Sequence, residues 1–453
     1  MRVVRVNLRL AVALGALAMA APAHATPVSA HAMVHTCCTP AAMKERIFSE
    51  AKQLGAEYIR VDVEPNAIFE GPDGAKAARP NWSGLDEVIA LSRKYHQPVL
   101  GILLGMPRFA SACPERPDAS KCAPADAGEY GALAAAVAGH AADTIHHWEI
   151  VNEPDGRWAF EGTPEQYAGM LSAAHDAIKA RAPGTSIVLG GLMRPHKPEW
   201  LERVFATPGA DAIHKFDIAN IHLRGSVDAV VRRYVTFRSW LARRGFRGPL
   251  WVTELGYPAD PAFQTDPAYS GGDPSQAAYL TQVLVGLGEV GAQQVFVTLR
   301  DEGVGQYSTE GLEHIDEAAG YAVSRRVSFA AVHRVVVEWD QLMAWRDEQR
   351  ANEREQRAER SKAAQWASAA QIARRQLRDA RLRVHAEQDE LARSQRSARV
   401  TARLSQRLAR ARALLAGRQI LVLLRTAVAG WHSQRAGDHA AAVALLKREI
   451  AGG

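Results

Sequence analysis

Cysteine is scarce in this chain, at four in 453 residues. No CxxC pair and no histidine cluster of ligand spacing accompanies the four, so nothing in the pattern calls for a metal centre. Long apolar runs are also missing. The run Leu10–Ala21 is shorter than the ~20 residues a spanning helix needs. Leu414–Trp431 is apolar but broken by Arg418 and Arg425, which reads as a packed helix. No glycine-rich phosphate loop follows the first candidate strand, which counts against an open doubly wound nucleotide-binding sheet. Between Trp345 and Ala411 there is neither glycine nor proline.

What is present begins with a processing signal. Arg2, Arg5 and Arg9 make a basic start, Leu10–Ala21 an apolar core, and Ala23-His24-Ala25 a small-residue cleavage pattern. Residues 1–25 are therefore expected to be removed and the protein to be secreted or held at the cell surface. In an exported chain four cysteines suggest disulfides. Cys113 and Cys122 flank a Pro/Asp-rich loop that a bridge would close, leaving Cys37-Cys38 as a vicinal pair or free thiols. The charge is divided. From Tyr321 onward there are 26 Lys+Arg against 13 Asp+Glu, and before it 29 against 36. The basic pI thus belongs to the tail.

Short apolar runs alternate with helical patterns between residues 30 and 340, the signature of βα units and a parallel sheet. Eight candidate strands are Ala32–His35, Glu57–Val63, Pro98–Leu104, His146–Asn152, Ser186–Gly191, Phe216–His222, Pro249–Glu254 and Gln294–Leu299. Candidate helices are Ala41–Leu54, Gly84–Tyr95, Thr163–Ala182, Ser226–Arg243 and Pro274–Val290. Eight repeats in this length fit a (β/α)₈ barrel over 26–340. Residues 341–453 read as a basic, Arg-rich helical tail. Leu377, Val384, Leu391 and Ala398 recur every seven residues, but Ala380, Glu387 and Ser394 are poor seam positions. The pattern leaves a coiled coil and a solvated charged helix both open.

The chemistry is concentrated in two places. His147-Trp148-Glu149-Ile150-Val151-Asn152-Glu153-Pro154 is an apolar run delivering an Asn-Glu pair onto a proline turn. Leu250-Trp251-Val252-Thr253-Glu254-Leu255-Gly256 ends a second run on another carboxylate. In a parallel barrel the carboxyl ends of all strands open on one face, so Glu153 and Glu254 can converge there. Two carboxyl groups ~5–5.5 Å apart suit retaining glycoside hydrolysis, and ~6.5–9.5 Å inverting hydrolysis. Asn152 could donate to a sugar hydroxyl. Taken singly, either glutamate could be an ordinary surface or capping carboxylate. Trp82, Trp158, Phe160 and Tyr257 fall in or beside strand-following loops, where they could stack on sugar rings or simply pack. Glu149 reads as a supporting carboxylate and Asp155 as a turn residue.

These two motifs resemble the fourth- and seventh-strand motifs of clan A retaining glycoside hydrolases, in particular family 39 and the cellulase-like family 5, over roughly residues 30–340. The resemblance implies a (β/α)₈ barrel without a cofactor, with Glu153 as acid/base and Glu254 as nucleophile. It also implies Arg60, in Tyr58-Ile59-Arg60-Val61-Asp62, as the arginine beside the nucleophile, a buried structural ion pair being the alternative. His222, in Ile221-His222, matches the sixth-strand histidine of the site. Arg224 stands where such enzymes often carry tyrosine, and Val295–Asp301 offers no tryptophan at the eighth strand. Arg224 and Arg300 could favour an acidic sugar or be ordinary salt-bridge arginines.

The expectation is an exported retaining glycosidase acting on an oligosaccharide or polysaccharide. Its rival is a non-catalytic glycan-binding barrel tethered by its tail to an anionic surface or partner. The tail could hold an anionic cell-surface polymer or self-associate. No recognised motif supports nucleic acid as a partner.

Overall fold

A computed structural model describes residues 28–393 and 398–452; the expected export signal, residues 1–25, lies outside them. Eight strands, β1 (Val28–His35), β2 (Ile59–Val63), β3 (Val99–Leu103), β4 (His147–Ile150), β5 (Ser186–Leu189), β6 (Ala219–Leu223), β7 (Leu250–Leu255) and β8 (Val295–Thr298), form one sheet. Its order is β5-β4-β3-β2-β1-β8-β7-β6, all parallel. Parallel bridges Val188–Ile218 and Leu192–Ile221 join the two ends, so the sheet closes into a (β/α)₈ barrel. Leu100, Val188, Ile218, Trp251 and Phe296 cluster in the core, with Tyr58 packed against them. Side chains at the opposite, carboxyl ends of the strands are left to line a cavity.

Every candidate strand is present, with its ends moved. β1 begins at Val28 rather than Ala32, because Val28, Ser29 and Ala30 pair with Val295, Phe296 and Val297 of β8. That long-range pairing has no local signal in small residues. The helix Ala41–Leu54 has the expected bounds, and the helix Pro164–Arg181 opens on a capping box between Thr163 and Gln166.

Among the elements not anticipated are the helix Ala127–His140, the helices Pro65–Phe69, Glu199–Phe205 and Val327–Val337, and a two-stranded hairpin of β9 (Glu313–Asp316) and β10 (Ala322–Arg325). The first is rich in alanine and glycine, which blurs its apolar stripe. Its glycines serve packing: a Cβ on Gly131 would meet the carbonyl oxygen of Ala173, on the neighbouring helix, at 2.6 Å.

Cys113 is joined to Cys122, and Cys37 to Cys38.

The chain divides into two compact units, one up to Asp340 and one from Gln341. Two long helices, Trp339–Ala392 and Ala398–Gly452, account for the second. Cross-contacts run in opposite sequence directions, from Glu359–His432 through Arg425 to the Ala369 carbonyl and Arg418 to the Gln376 carbonyl, to Arg407–Glu387. The helices therefore pair antiparallel within the chain. Ala370, Ala373, Ala380 and Val384 are buried on one, Leu404, Leu408 and Ala436 on the other. Ala380, a poor seam residue by size, is buried because a small side chain lets the helices approach. Among the described residues no helix is long and apolar enough to cross a membrane.

Candidate active site

Arg60 is the hub of the cavity. It lies on β2, where all five residues are buried. Its Nε and Nη2 donate to the two oxygens of Glu149 at 3.0 and 2.9 Å. Nη2 also donates to Asn152 Oδ1 at 2.7 Å, and Nη1 to Glu254 Oε1 at 2.8 Å. Glu149, fully buried on β4, also accepts the Gly191 N–H at 2.9 Å. Both roles proposed for Arg60 are thus occupied together, a buried ion pair on one edge of the guanidinium and Glu254 on the other.

Beyond Ile150 the backbone leaves the strand abruptly. Val151 has φ 65° and Glu153 φ 45°, left-handed values that a β-branched residue rarely adopts. The turn is held by Tyr167, whose hydroxyl donates to the Ile150 carbonyl at 3.0 Å and accepts the Gly190 N–H at 2.9 Å. It aims Glu153 across the barrel mouth at His222, with Oε1 2.7 Å from Nδ1. His222 Nε2 lies 3.1 Å from Thr253 Oγ1, whose hydroxyl donates to Asn220 Oδ1 at 2.8 Å. With the threonine hydrogen so used, Nε2 is the donor to Thr253. One proton then lies between Nδ1 and Glu153. The ring sits against Gly191, where a Cβ would come 2.1 Å from Nε2.

Glu254, on β7, faces the same space. One oxygen of Glu153, one of Glu254 and one His222 nitrogen all lie within 4.8 Å of one another. Burial would raise the Glu254 pKa, but His222, Arg60 and Arg224 together hold it well below the usual carboxylate range. Three donors so close could contact a metal ion. The two guanidiniums against Glu254, at 2.8 and 3.5 Å, oppose a cation there.

The cavity encloses about 610 Å³ and is lined by Arg60, Asn152, Glu153, Trp158, His222 and Glu254 among others. Six of the seven expected site residues thus come together. Trp158 does so as a donor, its indole N–H reaching Glu153 Oε2 at 2.8 Å while the ring stays 58% exposed. Tyr257 is the exception and corrects the expectation. Its ring is buried on Tyr279 at 3.8 Å between centroids, and its hydroxyl donates to the Tyr269 carbonyl at 2.9 Å. It braces the loop after β7 outside the cavity. Trp82 stacks on His140 and Phe160 packs against Tyr167, so neither offers a face to the cavity. Asp155 anchors the turn by accepting the N–H groups of Met193 and Arg194. Arg224 is a salt-bridge arginine, donating to both oxygens of Glu310 at 3.3 and 3.0 Å. Arg300 donates to the Ala32 carbonyl at 2.9 Å.

The sequence reading missed His31, His35, Asp62, Glu302 and Glu310, all in the lining. Asp62 had a signal, since it sits two residues after Arg60 and a strand repeats its facing every two residues. Glu302 and Glu310 lie in the irregular segment after β8, where no periodicity marks them. Burial depresses His31 to about 3 and, with neighbouring carboxylates, lifts Asp62 to about 6 and Glu302 to about 8.

No family model matches the chain, and no curated protein matches it. Solved structures do resemble it. A family 39 glycoside hydrolase from Bacteroides cellulosilyticus is 17% identical with a TM-score of 0.52, over 69% of this chain and 64% of that one. A glucosidase from Croceicoccus marinus is 15% identical with a TM-score of 0.51, over 69% and 67%. The chain thus spans slightly less than two thirds of the family 39 enzyme's length. At these identities the likeness is one of fold alone.

Proposed function

We propose that this protein is an exported retaining glycoside hydrolase. The observation that carries the reading is the approach of Glu153 and Glu254 to within 4.8 Å across one cavity, in opposite surroundings. So close an approach of single oxygens accords with a nucleophile and an acid acting on the same bond. Glu254, kept ionised by Arg60 and Arg224, attacks the anomeric carbon. Glu153 gives the proton it shares with His222 to the departing oxygen, and the sugar becomes an ester of Glu254. A water then enters, Glu153 takes its proton, and the hydroxyl displaces Glu254 from the sugar. Asn152 Oδ1 is committed to Arg60, so its Nδ2 is left to donate to a sugar hydroxyl beside the reacting carbon. Two disulfides accord with an oxidising, extracytoplasmic setting. A mechanism-based fluorosugar should label Glu254; labelling of another residue would overturn the double displacement. Tight oligosaccharide binding without product over long incubation would favour the non-catalytic barrel.

For the tail we propose attachment to an anionic polymer. Arg375, Arg378, Arg381 and Arg383 on one helix and Arg403, Arg410 and Arg412 on the other are exposed, and none has a carboxylate partner among the described residues. Unpaired guanidiniums at this density attract polyanions.

A further inference from the structure

The ionisable groups around the cavity do not balance. Arg60 and Arg224 are shared among Glu149, Glu254 and Glu310, two cations for three carboxyl groups. His35 stands between Glu64 at 2.7 Å and Asp62 at 3.4 Å, one ring for two carboxyl groups. His222 and Glu153 share a proton. That leaves Glu302, whose side chain lines the cavity and is only 9% exposed. Its Oε1 is buried with no hydrogen-bond partner among the described residues. Its Oε2 lies 3.9 Å from His31, a ring that burial keeps uncharged. Arg300 tempers Glu302 electrostatically, yet its guanidinium is bonded to the carbonyls of Ala32 and Met33. A buried carboxyl without a partner is costly, and one in a binding cavity marks a place for a ligand group.

We propose that Glu302, with Asp62 beside it on the cavity wall, recognises a protonated amino group on the sugar, so that the substrate is an amino sugar glycoside. A cation is what the wall lacks. An acidic sugar would add charge of the sign already in excess, and Arg224, bound to Glu310, is not free to receive it. Burial and the charges of Glu254, Asp62 and Glu310 hold Glu302 protonated when the cavity is empty. An arriving ammonium group would make the ionised form favourable and drive that proton out. The inference rests on the hydrolase reading only for the word substrate; as a binding site it stands by itself.

Two measurements on the full chain test it. Calorimetric titration with glucosamine and galactosamine, beside glucose and galactose, is run at about pH 6.5, below the ordinary α-amino range. Amino sugars should bind more tightly than their neutral counterparts, with proton release read as a binding enthalpy that changes between phosphate and Tris buffers. Equal binding of both classes, or amino-sugar binding without proton release, overturns the inference without recourse to a variant. Second, 4-nitrophenyl glycosides of the same four sugars give an amino-over-neutral ratio of kcat/KM. Glu302→Gln should lower that ratio by about tenfold or more, the loss of one charge-assisted hydrogen bond. An unchanged ratio overturns the proposal. Proton-linked binding of amino sugars with no glycoside cleaved would sink the hydrolase reading and leave this site standing. Cleavage of neutral glycosides alone would do the reverse.

Discussion

Glu153 and Glu254 are the same residue type in one cavity, and what separates them is their neighbours. Glu254 has two guanidiniums against it, whereas Glu153 meets His222 and the indole of Trp158. Glu254→Ala should abolish turnover with the fold intact, and Glu153→Gln should lower kcat about 10²–10⁴-fold. Circular dichroism and rates on an activated aryl glycoside check both, and wild-type rates in either variant would refute the assignment. Arg60→Ala tests a different quantity. It strands Glu149, fully buried, without its counter-charge, and should cost about 3–5 kcal/mol of stability as well as activity. A variant as stable as wild type would show that Glu149 finds another partner. Glu302 gives a pH signature of its own. Its pKa is raised to about 8 in the folded protein, so above the ordinary glutamate value the unfolded chain gives up a proton that the folded chain keeps. Stability therefore falls as pH rises from the ordinary value towards 8. Glu302→Gln should remove that slope, worth on the order of a few kcal/mol, and raise Tm more at pH 8 than at pH 5. Thermal melts at the two pH values decide it.

At the scale of elements, the strands and most barrel helices were legible because apolar runs, glycine stops and caps agree with one another. Asn152-Glu153-Pro154 and Thr253-Glu254 were legible for another reason, as polar residues at the ends of apolar strands have no packing role to fill. What could not be read is set by distance in sequence. β1 gains its first residues from β8, and the helix Ala127–His140 packs closely on its neighbour where Gly131 meets the Ala173 carbonyl. Tyr257 looked like a cavity aromatic from its place after β7; only the loop that folds back over it, through Asp266 and Tyr269, shows that it packs. Gly191 makes the same point for the site. Nothing local distinguishes it from Gly190, yet its bare Cα is what lets His222 reach Glu153. Gly191→Ala should displace the imidazole, a shift of ångström scale that costs about 10²-fold in kcat. Unchanged kcat would mean that the ring has room to retreat without leaving the carboxylate.

Across the whole molecule, composition divides where the contacts divide. The portion before Tyr321 is acidic in balance and holds a cavity short of positive charge, while the helical pair beyond Asp340 carries exposed arginines, Arg375, Arg378, Arg381 and Arg383 among them, with no carboxylate partner among the described residues. Each unit has its own buried apolar residues, in the helical pair alanine together with leucine and valine. Their functions can therefore be separated by mutation. Replacing Arg375, Arg378, Arg381 and Arg383 together by glutamine removes four exposed charges and no hydrogen bond or ion pair among the described residues. Retention of the full chain on an immobilised polyanion should then fall, and the remaining retention should depend less steeply on salt, because exposed charges act through a screened field. Cleavage of small aryl glycosides should be unchanged, since those substrates need only the barrel cavity. Retention equal to wild type at every salt concentration would show that the exposed arginines do not hold the polymer, and would turn attention to the apolar residues exposed on the same helices, Ile372, Leu424 and Trp431, as a surface for a second copy of the chain.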